Sequence, residues 1–184
     1  MRESFRRATA YHEAGHAVIA CRSRIKLRSV TIVPGNVYSG RVEHVSPLRG
    51  IHLDVDGSNR ARMKAEAAII VSLAGPAAQR RYNPRSLRAW HSSSDYELAS
   101  GLALRLNRDE ESAAAYLKWL GMVTRQSVEA QWRFIEKLAA ALLDRESLSG
   151  SEILAVLMSS PMKGAYSSPV HDGGENREQS TVEM

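Results

Sequence analysis

Cysteine is nearly absent. The 184 residues include one, Cys21, which excludes an intramolecular disulfide framework and any multi-cysteine zinc or iron–sulfur site. A metal bound here must be held mainly by histidine and carboxylate. A single cysteine also fits a reducing compartment, so a cytoplasmic location is expected. Long apolar runs are missing as well. The stretch from Ala67 to Val71 extends only through Ser72 to Gly75, far short of the roughly 20 residues that cross a bilayer. No integral membrane segment is expected. Arg2, Arg6 and Arg7 precede informative sequence that begins at Tyr11, leaving no room for the apolar core of a signal peptide. Excess charge of one sign is modest: 25 Lys and Arg oppose 20 Asp and Glu, for a net +5. The cations are mostly arginine, spread along the chain without an aromatic-interleaved basic motif, so nucleic acid is not expected as a partner.

With 43% hydrophobic and 24% charged residues, the composition is that of a globular chain with a packed core. Residues Ala8 to Arg22 are alanine-rich and helix-compatible, with Gly15 the misfit, since an interior glycine costs about 1 kcal/mol against alanine and points to close approach by a backbone or a ligand. Val30 to Val33 and Gly40 to Val45 read as two strands joined by a turn at Pro34-Gly35-Asn36. After a polar loop over 46–59, a helix from Arg60 carries an apolar stripe of Met63, Ala67, Ile70 and Ala74, and Gly75-Pro76 should break or kink it. Arg80 to Ser93 reads as a loop, basic and then serine-rich. Ser94-Asp95-Tyr96-Glu97 matches a capping box, which places Asp95 in the first turn of a helix whose buried side is marked by Leu98, Leu102 and Leu106. A helix from Glu110 to Leu120 leads into a longer one with an apolar stripe from Val123 to Ala141. A second capping box, Ser149 to Glu152, opens the last helix, with Leu148 and Ile153 as a hydrophobic staple. Residues 1–160 are expected to form the domain and 161–184 a disordered polar tail.

His12-Glu13-Ala14-Gly15-His16 is the HExxH pattern. On a helix, imidazoles at i and i+4 converge on one metal ion, and the carboxylate beside the first stands next to water on that ion. Ile19 and Arg22 occupy the positions where the extended metzincin pattern needs Gly and His, so that class is excluded. A thermolysin-like arrangement needs a downstream glutamate, for which Glu66 is available, whereas Asp95 is better placed, at a helix start behind a serine-rich loop. Tyr11 and His91 flank these residues and read as packing and surface groups.

Ala10-Tyr11-His12-Glu13-Ala14-Gly15-His16-Ala17 resembles the zinc motif of the FtsH family of ATP-dependent metalloproteases. Ser93-Ser94-Asp95-Tyr96-Glu97-Leu98-Ala99-Ser100 is similar to that family's Ser-Asn-Asp-Leu-x-x-Ala-Thr segment, with Ser94, Tyr96 and Ser100 as substitutions. Val30-Thr31-Ile32-Val33-Pro34, Ala74-Gly75-Pro76-Ala77-Ala78, and Leu138 to Leu143 with Glu146 to Gly150 are similar to further family segments in the same order, so the resemblance covers about residues 8–157. It implies a mostly α (α+β) peptidase domain with a small sheet after the HExxH helix. It also implies Zn2+ held by His12, His16 and Asp95, and Glu13 as the catalytic base in cleaving unfolded or flexible polypeptides. The departures are specific. The chain has no Walker-type Gly-x-x-x-x-Gly-Lys-Ser/Thr loop, so a separate ATPase or unfoldase is the partner the resemblance calls for, alongside a homo-oligomer. Gln79 and Arg80 stand where the family carries two glutamates, which predicts loss of contacts made there. The basic loop with Arg81, Arg85 and Arg88 reads as solvated. The edge of Val30 to Val33 is the expected place for an extended substrate to add. The alternative reading is an inactive domain of the same fold that acts by binding, for instance by docking on a separate ATPase.

Overall fold

The structure is a computed structural model, described for residues 3–35, 39–86, 93–107 and 109–159. Six helices and three short strands follow in the order α1 (Glu3–Arg22), β1 (Leu27–Thr31), β2 (Arg41–His44), α2 (Asn59–Tyr82), α3 (Ser93–Leu106), α4 (Glu110–Ala130), α5 (Trp132–Arg145), β3 (Ser147–Ser149) and α6 (Gly150–Met158), with a 3-10 turn at Pro84–Ser86. The chain is therefore mostly helical with a small antiparallel sheet, as the sequence predicts.

Helix α1 is the central element, buried almost continuously from Ala8 to Ala20. Its small side chains let α2 come close. A Cβ added at Gly15 would lie 2.6 Å from the Ala78 Cβ and 2.7 Å from the Ala74 carbonyl oxygen, so the misfit glycine marks the approach of another backbone. The sheet, in the order β2-β1-β3, packs with α1 and α5 in one apolar cluster that includes Val18, Val30, Leu138, Leu142, Leu148 and Ile153. A second cluster joins α2, α3 and α4 through Ile69, Leu102, Leu117 and Leu120. Ile70 packs against both.

Several boundaries differ from expectation, each for a physical reason. Helix α2 runs unbroken through Pro76 to Tyr82. A proline inside a helix costs about 3 kcal/mol, but the surrounding residues Val71, Ser72, Ala74, Gly75, Ala78 and Gln79 are all buried, and that packing outweighs the lost hydrogen bond. The buried stripe at the start of α2 is Ala61, Ala65 and Ile69, whereas Met63 is 67% exposed. Small residues win here because α2 lies close against its neighbours. Helix α3 begins at Ser93, so Ser94 lies inside its first turn rather than capping it, and Asp95 remains in that turn. Leu98 is 55% exposed, and Ala99, Leu102 and Ala103 form the buried side. The break in the long C-terminal helical stretch falls at Gln131, where neither glycine nor proline marks it in the sequence. Strand β3 was not foreseen; its Leu148 pairs with Val30. The capping box of Ser149 and Glu152 is formed as expected. The expected turn at Asn36 and the tail 161–184 lie outside the described residues.

Candidate metal centre

Three helices bring the candidate ligands together. His12 and His16 face α2 and α3 from one side of α1, and Asp95 projects from the first turn of α3. His12 Nε2 lies 3.1 Å from Asp95 Oδ2, His16 Nε2 lies 3.1 Å from His12 Nε2, and His16 Nε2 lies 3.4 Å from Asp95 Oδ2. Tetrahedral zinc with bonds of about 2.0–2.1 Å places its ligand atoms about 3.3 Å apart, and this triangle has those edges. Among the described residues this is the group of His, Cys, Asp or Glu whose ligand atoms converge within 4.8 Å. Glu66 is elsewhere, hydrogen-bonded by Arg62 and by the Tyr116 hydroxyl.

The far side of each imidazole is tied down. His16 Nδ1 donates to the Val71 carbonyl at 2.7 Å, and His12 Nδ1 donates to Gln79 Oε1 at 2.8 Å. The Gln79 amide is itself oriented, because its Nε2 donates to the Ser86 carbonyl at 3.1 Å and to Ser86 Oγ at 3.3 Å. Each ring therefore carries a proton on Nδ1 and turns Nε2 inward, and such outer partners fix ring orientation in metal sites. Two facing lone pairs beside a carboxylate oxygen repel one another unless a cation or proton lies between them, so the donor set fits a divalent metal. Gln79, at a position where the sequence predicted lost contacts, is thus a partner of His12. A neutral amide serves because only an acceptor is needed there.

Electrostatics agree with this picture. Burial opposes charge on His16, yet the Asp95 carboxylate and its hydrogen bond, helped by Glu13 and the Val71 carbonyl, push its pKa up to about 9. Burial likewise works against ionised Asp95, but the His16 charge and hydrogen bonds from both histidines hold its carboxyl well below the usual range. Burial raises the Glu13 pKa despite the opposing pull of His12 and His16.

Two glycines complete the centre, and the sequence reading assigned a site role to neither. A Cβ on Gly75 would stand 2.6 Å from His16 Cδ2 and collide with Nε2, so the His16 ring lies flat against the α2 backbone. A Cβ on Gly40 would lie 2.7 Å from Glu13 Oε1 and 2.7 Å from Thr9 Cγ2. The cleft around these groups has a volume of about 510 Å³ and is bordered by Gly40, Arg41, Val42 and His44 of the β2 segment. Strand β1 is paired on both sides, by β2 and β3, and cannot accept an added strand. β2 and β3 are the two edge strands of this sheet, and β2 is the one that borders the cleft. Tyr11 packs rather than reacts, stacked on Tyr82 at 4.0 Å and Trp132 at 5.4 Å. Arg81 is exposed, as the sequence predicts, and in addition pairs with Glu129 and lies over the Trp132 ring. His91 and Arg88 lie outside the described residues.

No family model matches the chain. It is similar to ATP-dependent zinc metalloprotease FtsH 1 of Symbiobacterium thermophilum, with 29% identity over 92% of this chain. The aligned part spans 32% of that relative's length. No helix among the described residues is long and apolar enough to cross a membrane.

Proposed function

We propose that residues 1–160 form a zinc-dependent metalloendopeptidase domain that hydrolyses unfolded or flexible polypeptides, with His12, His16 and Asp95 as metal ligands and Glu13 as general base. The observation that carries this reading is the convergence of two inward-turned Nε2 atoms and one carboxylate oxygen beside a buried glutamate. Similarity to a zinc metalloprotease supports it. His12, His16 and Asp95 would hold the zinc, which would supply a water acidified from a pKa of about 15.7 to about 7 and a Lewis acid for the substrate carbonyl.

The chain's own residues account for the rest. Glu13 stands next to His12 with its carboxyl in the cleft, where desolvation raises its proton affinity. It takes a proton from the attacking water and returns it to the leaving amine, the role for which a carboxyl of raised proton affinity is suited. An extended substrate lies along β2, the edge strand that borders the cleft, through backbone hydrogen bonds that are largely independent of sequence. An ATPase or unfoldase is the partner that would deliver folded proteins.

Glu13→Gln tests the role of the base. Casein hydrolysis should fall by about 100-fold or more, while zinc content stays that of the unaltered chain. Hydrolysis that survives the substitution would overturn the mechanism. Stoichiometric zinc with no hydrolysis by the unaltered chain would point to the binding-module reading instead.

A further inference from the structure

On the side of α3 away from the metal centre lies a larger groove, of about 800 Å³, walled by α2, α3 and α4. Its floor is apolar, with Leu73, Ala77, Ala103, Leu117 and Val128. Small residues on α4, Ala113, Ala114 and Gly121, keep that wall low. The α3 wall presents Tyr96, 58% exposed, and Leu104, 48% exposed. The α4 wall runs from Glu110 to Glu129, which at about 1.5 Å per residue is about 28 Å, or five helical turns.

The charges at the rim are unequal. Arg80, Lys118 and Arg125 border the groove and are exposed, and none of them has an ion pair among the described residues. Arg81, the fourth cation, is already paired with Glu129. Glu110 is the remaining acid. Small residues on the floor admit a backbone at close range, the length suits a helix, and the rim supplies positive charge on either side of an apolar stripe.

We propose that this groove is a docking site for an amphipathic helix of another protein, one whose apolar stripe is flanked by acidic residues. Helix-in-groove recognition of this kind reads apolar anchors at i, i+3, i+4 and i+7, and rim charges select the partner and speed its encounter. The site is separate from the proposed catalytic cleft. It touches it through neighbouring residues of α3, since Tyr96 faces the groove and Asp95 the cleft.

The test uses the full chain and two fluorescein-labelled model helices of about 18 residues, built on one leucine stripe, with glutamates on the flanks in the first and lysines in the second. The glutamate helix should bind with a micromolar Kd and the lysine helix at least about tenfold more weakly. Gly121→Trp fills the groove; because a Cβ there meets nothing nearer than Arg125 Nη1 at 3.8 Å, the fold accommodates it, and circular dichroism checks this. That variant should abolish binding. The double variant R80E/R125E should reverse the preference between the two peptides. Equal binding of both peptides, binding by neither, or indifference to Gly121→Trp would overturn the proposal. So would a concentration-dependent dimer that Gly121→Trp dissolves, which would assign the groove to a second copy. Binding that appears only after residues 160–184 are removed would assign it to the chain's own C-terminal segment. Zinc content and casein hydrolysis serve as separate readouts, so failure here leaves the peptidase reading intact.

Discussion

The His16 imidazole rests on the backbone of α2 at Gly75, and even a methyl group there would occupy the space of the ring. Gly75→Ala should therefore weaken zinc binding by at least about tenfold, the lower end of what misorienting a ligand costs, with the helical circular dichroism spectrum retained. Zinc affinity equal to that of the unaltered chain would show that the ring does not depend on this contact. Gln79 acts on His12 from the other side. Gln79→Leu keeps the volume but removes both the acceptor for His12 Nδ1 and the donor to Ser86, so chelator competition should report about a 10–100-fold loss of zinc affinity. The convergence of His12, His16 and Asp95 is legible in the sequence, since HExxH fixes its own geometry on a helix and Asp95 follows a serine-rich helix start. Gly75, Gly40 and Gln79 were not legible as parts of the site. Their roles depend on how α2 and the β2 segment lie across α1, and glycine or glutamine in isolation carries no mark of what it faces. The run Ala74 to Ala78 was the one available signal, because several small residues in succession on a helix permit close crossing.

Strand β3 is three residues long, and its register against β1 places Leu148 opposite Val30 in the core. Leu148→Ala should destabilise the fold by about 2–5 kcal/mol, measurable by urea denaturation, whereas an exposed loop leucine would cost well under 1 kcal/mol. The strand escaped sequence reading because a single leucine between two serines has no periodicity to detect. It forms because the sheet edge of β1 is waiting for it. The opposite failure occurred at Gly75-Pro76, where strong local punctuation suggested an end that tertiary packing overrides. A β-branched run from Val30 marked the end of β1, alternation marked β2, and the Ser149 box marked the start of α6, because in those places local preference and packing agree. Ser149→Ala tests that agreement at small scale, with an expected cost of about 1 kcal/mol from the lost cap.

In the whole molecule, α2 links the two apolar clusters through Ile70, and α1 carries the candidate centre where α2 and α3 meet it, so metal binding and stability are coupled. The His16 pKa, raised to about 9 from 6.5, contributes stability to metal-free protein that is fully present below about pH 6.5 and is lost as pH rises through 9. Asp95, whose carboxyl is depressed below its ordinary 3.8, contributes stability present above that value and lost as pH falls. The pair is thus most effective between these limits. Near neutral pH, zinc must displace the proton on His16, and calorimetry in buffers of different ionisation enthalpy should show release of about one proton per zinc bound. Heats that do not depend on the buffer would contradict this. The central claim is that His12, His16 and Asp95 hold one catalytic zinc. The most direct measurement is zinc stoichiometry of the purified chain beside Asp95→Ala, with casein hydrolysis followed in both. The account predicts about one zinc per chain with hydrolysis in the unaltered protein, and loss of both in the variant. Zinc retained undiminished in Asp95→Ala, or no zinc bound by the unaltered chain after reconstitution, would contradict it.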